Sequence, residues 1–194
     1  MASESAIAGI LLAAGMSSRM GENKMLLTVA GESVLRGGAR RALGGGLSLL
    51  VVVLGAEAHR AAAELEGLPC TIVQNRQYTS GMTSSIHAGL AALPAATDAA
   101  IILLADMPLV TPDMIREMTQ RYHETGAPLV ISRYEGVIAP PTLFDRCLFI
   151  ELLSSDGGRR VVERHRAAAE VCDWPGAALV DLDTPEDYVR ITGR

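Results

Sequence analysis

The chain has 194 residues, 49% hydrophobic and only 4% aromatic, which suits an aliphatic core of helices packed on a parallel sheet. Its formal net charge of −5 excludes nonspecific nucleic-acid binding, so any anionic ligand must be held by local cations and backbone dipoles, often with a metal. Three cysteines, Cys70, Cys147 and Cys172, offer neither metal-ligand spacing nor a disulfide framework and point to a reducing cytoplasm.

In chain order, Met1–Ser5 is acidic and Ile7–Ala14 is short, which is not the pattern of a signal peptide. The longest apolar run, Leu47–Leu54, is far shorter than a membrane span. A soluble, cytoplasmic protein with no membrane partner is expected. Ala6–Leu12, Ser48–Leu54, Cys70–Val73, Ala99–Ala105 and Pro128–Ser132 read as strands covered on both faces. Ser33–Leu43, Glu57–Glu66, Thr83–Leu93 and Pro112–Thr125 read as the helices between them. Thr111-Pro112-Asp113 supplies an N-cap, a first-turn proline and an acid at the positive dipole end. This alternation predicts an open, mostly parallel sheet in a three-layer α/β/α arrangement with right-handed crossovers.

After Ser132 the rhythm changes. Tyr134–Thr142 contains Gly136, Pro140 and Pro141 and cannot be a regular helix. Helices are expected over Leu143–Leu153 and Arg159–Ala168, and strands near Glu170–Cys172 and Ala178–Leu182. A last helix starts at Thr184-Pro185-Glu186-Asp187. With no linker or repeat, residues 1–194 read as a single domain. Its C-terminal third, about 133–194, reads as one wall of a cleft beside the part spanning about 1–132.

The segment Leu12-Ala13-Ala14-Gly15-Met16-Ser17-Ser18-Arg19-Met20-Gly21 through Lys24 leaves a buried strand as a loop of small residues ending in two cations. Such a loop lets backbone N–H groups approach phosphate while the cations neutralise it. It is neither a P-loop, lacking Gly-Lys-Ser/Thr, nor a Rossmann fingerprint, lacking Gly-x-Gly. Ligands of open α/β sheets bind beyond the carboxyl ends of the strands, and Asp106, before Pro108, ends such a strand and suits a hard cation. Tyr78–Ile86, with Ser80, Gly81 and Ser84 at a helix start, offers hydrogen bonds to a nucleotide or simply caps the helix. Strand alternation over Val180–Asp183 would put Asp181 and Asp183 on one face, as a second metal ligand or as solvated charge. His59, His87, His123 and His165 show no metal pairing. Cys70 and Cys147 read as core, and no Gly-x-Ser-x-Gly elbow is present.

These motifs, with Leu26-Leu27, Ala105–Pro112 and Asp181–Tyr188 in the same order, resemble the nucleotidyltransferases of molybdenum cofactor biosynthesis. Within them the chain is most similar to the molybdenum cofactor (molybdopterin) cytidylyltransferases, because Ala14 replaces a glycine typical of guanylyltransferase relatives. Asn23-Lys24-Met25 likewise stands where methylerythritol cytidylyltransferases carry Pro-Lys-Gln. The resemblance implies Mg²⁺-dependent transfer of CMP from CTP to a phosphorylated acceptor such as molybdopterin, with release of pyrophosphate. It implies that Leu12, Ala13, Ala14, Gly15, Ser17, Ser18, Arg19 and Lys24 bind nucleotide, together with Ser80, Gly81 and Ser84. Arg19, Lys24 and Asp106 would be catalytic, and Asp106 would hold the metal with Asp183 or Asp181. A molybdoenzyme of the xanthine dehydrogenase type is the implied protein partner. Two acceptor-side segments depart from the family pattern. Ala139-Pro140-Pro141 stands for Gly-His-Pro, and Ser155-Asp156-Gly157-Gly158-Arg159-Arg160 stands for Gly-Asp-x-Gly-Ala-Arg. A sugar- or polyol-phosphate acceptor, or a catalytically silent maturation protein, remains open at this point.

Overall fold

The computed structural model describes residues 5–15, 23–154 and 157–193. The strands are β1 (Ile7–Ala13), β2 (Thr28–Val29), β3 (Glu32–Ser33), β4 (Leu49–Leu54), β5 (Thr71–Gln74), β6 (Ala99–Leu104), β7 (Leu129–Tyr134), β8 (Val137–Asp145) and β9 (Glu170–Trp174). The α-helices are α1 (Val34–Leu43), α2 (Ala58–Glu64), α3 (Met82–Ala91), α4 (Pro112–Thr125), α5 (Phe149–Ser154), α6 (Gly158–His165) and α7 (Pro185–Thr192). Seven strands form one sheet in the order β5-β4-β1-β6-β8-β7-β9, and β2 and β3 form a separate hairpin. Every neighbouring pair in the large sheet is parallel except the two that involve β8.

The central strands are aliphatic on both faces because both faces are covered. Leu11, Leu50, Val52, Ile101 and Leu143 point to one core, closed by Leu35 and Ala39 of α1, Ala61 of α2 and Ile115 and Met118 of α4. Ile10, Val51, Val53, Ala100 and Phe144 point to the other, closed by Ile86 and Leu90 of α3, Leu152 of α5 and Val161 of α6. The three-layer α/β/α architecture expected from the sequence is present. No helix among the described residues is long and apolar enough to cross a membrane.

Three expectations are corrected. The helix expected over Leu143–Leu153 begins only at Phe149, because 143–145 belong to β8. Apolar Leu143 and Phe144 are sheet core, and Thr142 and Leu143 pair with both β6 and β7. The prolines are tolerated because β8 continues past β6: residues 137–139 pair only with β7, and the register shifts between Ile131 and Ser132. The strand expected over Ala178–Leu182 does not form. That segment is a short 3₁₀ turn followed by irregular chain. Cys147 is exposed rather than core, whereas Cys172 is the buried cysteine.

Candidate active site

The carboxyl ends of β1, β4, β5 and β6 open on one edge of the sheet, and the chain there is made of small residues. Ala13 and Ala14 are buried, and Gly15 is exposed with open space where a side chain would stand. The amide of Ala105 donates to the carbonyl of Leu12 at 3.1 Å, which ties the end of β6 to the end of β1. Gly55, directly after β4, lies so close that an added Cβ would fall 2.5 Å from the Ala14 carbonyl oxygen. The start of the loop is therefore clamped from both sides by neighbouring strand ends.

Lys24 stands in a 3₁₀ turn spanning Lys24–Leu26. The Asn23 side chain caps this turn by accepting from the amide of Met25, and the buried Met25 side chain anchors it in the core. Lys24 is thus held inward, its side chain only 9% exposed. Its ammonium donates to Asp106 Oδ2 at 2.5 Å and to Asp183 Oδ1 at 2.6 Å. Burial acts against the lysine charge, but the two carboxylates outweigh it and hold its pKa above the ordinary value.

Asp106 sits in the turn that ends β6. Its carbonyl accepts from the amide of Leu182 at 2.9 Å, and Leu182 is fully buried. This stitch fixes the irregular segment that carries Asp183. The following helix fixes its other end through a capping box. Thr184 accepts from the amide of Asp187, whose carboxylate accepts from the amides of Asp183 and Thr184. Asp181 and Asp183 flank the buried Leu182, but the strand expected to put them on one face does not form. Asp183 joins the Lys24 cluster; Asp181 lies near it without a hydrogen bond to Lys24. Partial burial, then the charges of Asp106 and Asp183, push the Asp181 pKa up.

Oxygen donors converging on one cation are the donor set that suits a hard divalent ion. No group of three metal-capable side chains is present among the described residues. The site therefore fits an ion bound through two carboxylates, with its remaining ligands from water and substrate phosphate.

At the end of β5, Asn75 is buried and organises the next segment. Its amide donates to Ser84 Oγ at 2.8 Å and Ser85 Oγ at 3.0 Å, while its Oδ1 accepts from the amide of Gln77. Ser84 in turn donates to the carbonyls of Gln77 and Gly81. Ser84 thus shapes the turn into α3, Ser80 is exposed beside it, and Gly81 takes a φ of 102° that favours glycine. Asn75 and Gly55 were not singled out in the sequence. Their position directly after a strand is the signal that marks them. Ser17, Ser18 and Arg19, together with Met16 and 20–22, lie outside the described residues, as do Ser155 and Asp156.

On the α3 side of the sheet edge lies an open groove of about 610 Å³. Its floor is Ile86, Ile102, Leu104 and Phe144, one wall is the projecting start of β8, and the other is α6, with Arg159, and Arg166 directly after it. Arg159 pairs with Glu163 at 2.9 Å and is almost fully exposed. The departing segment Ala139-Pro140-Pro141 contributes Ala139 and Pro140 to this groove.

The chain matches the family described as the MobA-like NTP transferase domain over residues 9–170. It is 28% identical to the molybdenum cofactor cytidylyltransferase of Escherichia coli (strain K12), covering 98% of this chain and 97% of that one. It is 30% identical to the nicotine blue oxidoreductase of Paenarthrobacter nicotinovorans, covering 95% and 96% of the two chains. Among solved structures, Rv0371c from Mycobacterium tuberculosis H37Rv superposes with a TM-score of 0.84 at 26% identity, covering 99% of this chain and 100% of that one. A match over residues 9–170, which span most of the sheet and include Lys24 and Asp106, shows that the chain belongs to the MobA-like NTP transferase family and is a nucleotidyltransferase.

Proposed function

We propose that the enzyme transfers CMP from CTP to a phosphorylated pterin of the molybdopterin type, releasing pyrophosphate, with Mg²⁺ as its divalent ion. The observation that carries this reading is the convergence of Lys24, Asp106 and Asp183 beside the small-residue loop. The likeness to a relative named as a molybdenum cofactor cytidylyltransferase favours CTP and the pterin. In this reading Leu12–Gly15, with Ser17, Ser18 and Arg19, cradle the nucleotide, and Ser80, Gly81 and Ser84 border it. Residues 1–132 bind nucleotide and 133–194 face the acceptor within one domain.

Asp106 and Asp183 would hold the divalent ion, which when bound neutralises phosphate charge and polarises the α-phosphoryl group. Lys24 offsets charge that builds on the departing pyrophosphate, and the loop backbone orients the triphosphate. The groove seats the acceptor so that its phosphate oxygen attacks the α-phosphorus in line. Such chemistry depends on positioning and charge neutralisation more than on a general base. The apolar floor suits the flat face of a heterocycle, and it offers few partners to the hydroxyls of a sugar or polyol phosphate.

The test is a pyrophosphate-release assay crossing CTP, GTP and ATP with molybdopterin and with sugar and polyol phosphates. CTP with molybdopterin should give the highest kcat/KM, and Asp106→Asn should lower it about 100-fold. Release with another acceptor would replace the pterin. No release with any pair, together with cofactor binding that survives Asp106→Asn, would establish the catalytically silent reading instead.

A further inference from the structure

We infer that the Lys24 ammonium and the divalent cation are alternative occupants of one carboxylate pair, so that loading the cation requires Lys24 to leave. The inference rests on the assignment of Asp106 and Asp183 as metal ligands above.

Asp106 Oδ2 and Asp183 Oδ1 lie 2.5 and 2.6 Å from a single nitrogen, Lys24 Nζ. A divalent ion held by the same two oxygens would lie about 2.0–2.6 Å from each. On the side of the pair that Lys24 occupies, its centre would fall inside the contact radius of the ammonium group. Two cations that close repel strongly, and the lysine side chain is too buried for water to screen them. They cannot share that position.

The arrangement also explains why a lysine stands there. Asp106 and Asp183 face one another with Asp181 nearby, and without a cation between them their charges would push the Asp183 segment outward. Lys24 keeps both carboxylates aligned before substrate arrives. Its flexible four-carbon stem then allows the ammonium to move to another anion. A triphosphate leaving the adjacent loop edge supplies that anion. The lysine thus passes from carboxylate to phosphate as the metal takes its place. Cation and nucleotide each favour the displaced state and should load cooperatively.

Two measurements test this. The first titrates Mn²⁺ into nucleotide-free protein, with free Mn²⁺ followed by electron paramagnetic resonance, for the wild type and Lys24→Met. The variant should bind Mn²⁺ about tenfold more tightly. The second uses only the wild type and follows acetylation of Lys24 by acetic anhydride, read by peptide mass spectrometry. Saturating Mn²⁺ without nucleotide should accelerate it several-fold. Equal or weaker Mn²⁺ binding by a folded Lys24→Met protein would overturn the inference while leaving the metal site intact. Acetylation indifferent to saturating Mn²⁺ would overturn it without reliance on the variant. If neither protein binds Mn²⁺ at millimolar concentration and Mn²⁺ leaves acetylation unchanged, the metal assignment falls and the inference falls with it.

Discussion

At the scale of single residues, charge pairs that join distant chain segments do most to fix the site. Lys24 meets Asp106 and Asp183 across 82 and 159 positions of sequence. Each of the three is legible alone, as a cation after a loop, an acid after a strand and an acid before a capped helix. Their meeting is not, because nothing local encodes it. A second long-range pair, away from the site, allows a cleaner measurement. The Tyr122 hydroxyl of α4 donates to Asp145 Oδ2 at 2.6 Å at the end of β8. Burial of Asp145 opposes its ionisation, but the bonds from Tyr122 and the Cys147 amide outweigh it and hold its pKa below 3.8. A carboxylate with a depressed pKa stabilises the fold above the unfolded value and loses that contribution as pH falls through the folded value. Tyr122→Phe should therefore cost about 1 kcal/mol at neutral pH in urea unfolding. The gap to wild type should close as pH drops below 3.8. A gap that stays constant with pH would show that the hydroxyl bond does not depend on the carboxylate charge.

At the scale of elements, the reading of the sequence succeeded where chemistry is local. The helices α4 and α7 begin at Thr111-Pro112 and Thr184-Pro185, and both carry the capping boxes that such starts favour. It failed where tertiary pairing decides. Leu143 and Phe144 fit a helix face as well as a strand, and only the two flanking strands settle the choice. The irregular Ala178–Leu182 segment has the apolar character of a strand but pairs with none, the Leu182 amide bonding instead to the Asp106 carbonyl. Gly55 gives a prediction at this scale, since it is the contact between the end of β4 and the start of the loop proposed to hold the nucleotide. Its missing Cβ would meet the Ala14 carbonyl at 2.5 Å and Ala14 Cα at 2.9 Å. Backbone atoms cannot yield as a side-chain tip does. Gly55→Ala should destabilise the protein by about 1–3 kcal/mol and raise the KM for the nucleotide. If the KM for nucleotide is unchanged, the clamp does not shape the binding loop.

At the scale of the whole molecule, the alternation of strands and helices announced a parallel sheet, and composition announced that both faces would be covered. Strand order was not legible, because reversal of β8 depends on a hairpin whose prolines hide it. The layered core makes a prediction of its own. Leu50 to Leu54 and Ala99 to Leu103 are nearly all fully buried, whereas Thr71, Ile72 and Gln74 of edge strand β5 are exposed. Hydrogen exchange should be slowest in β1, β4 and β6 and markedly faster in β5 and β9. Equal protection across the sheet would show that the edges open only with the whole fold.

The reversal of β8 has a further consequence for how such an enzyme changes over time. A reversed strand presents its beginning, not its end, on the edge where the other strands finish. The groove wall proposed for the acceptor therefore hangs from the Glu135-Gly136 turn, on the far side of β6 from the loop that follows β1. Substitutions in that turn and its proline segment can reshape one pocket without touching Lys24 or its carboxylates. In the proposed reading, donor and acceptor preference are mounted on separate supports, and selection can revise one while the other stands still.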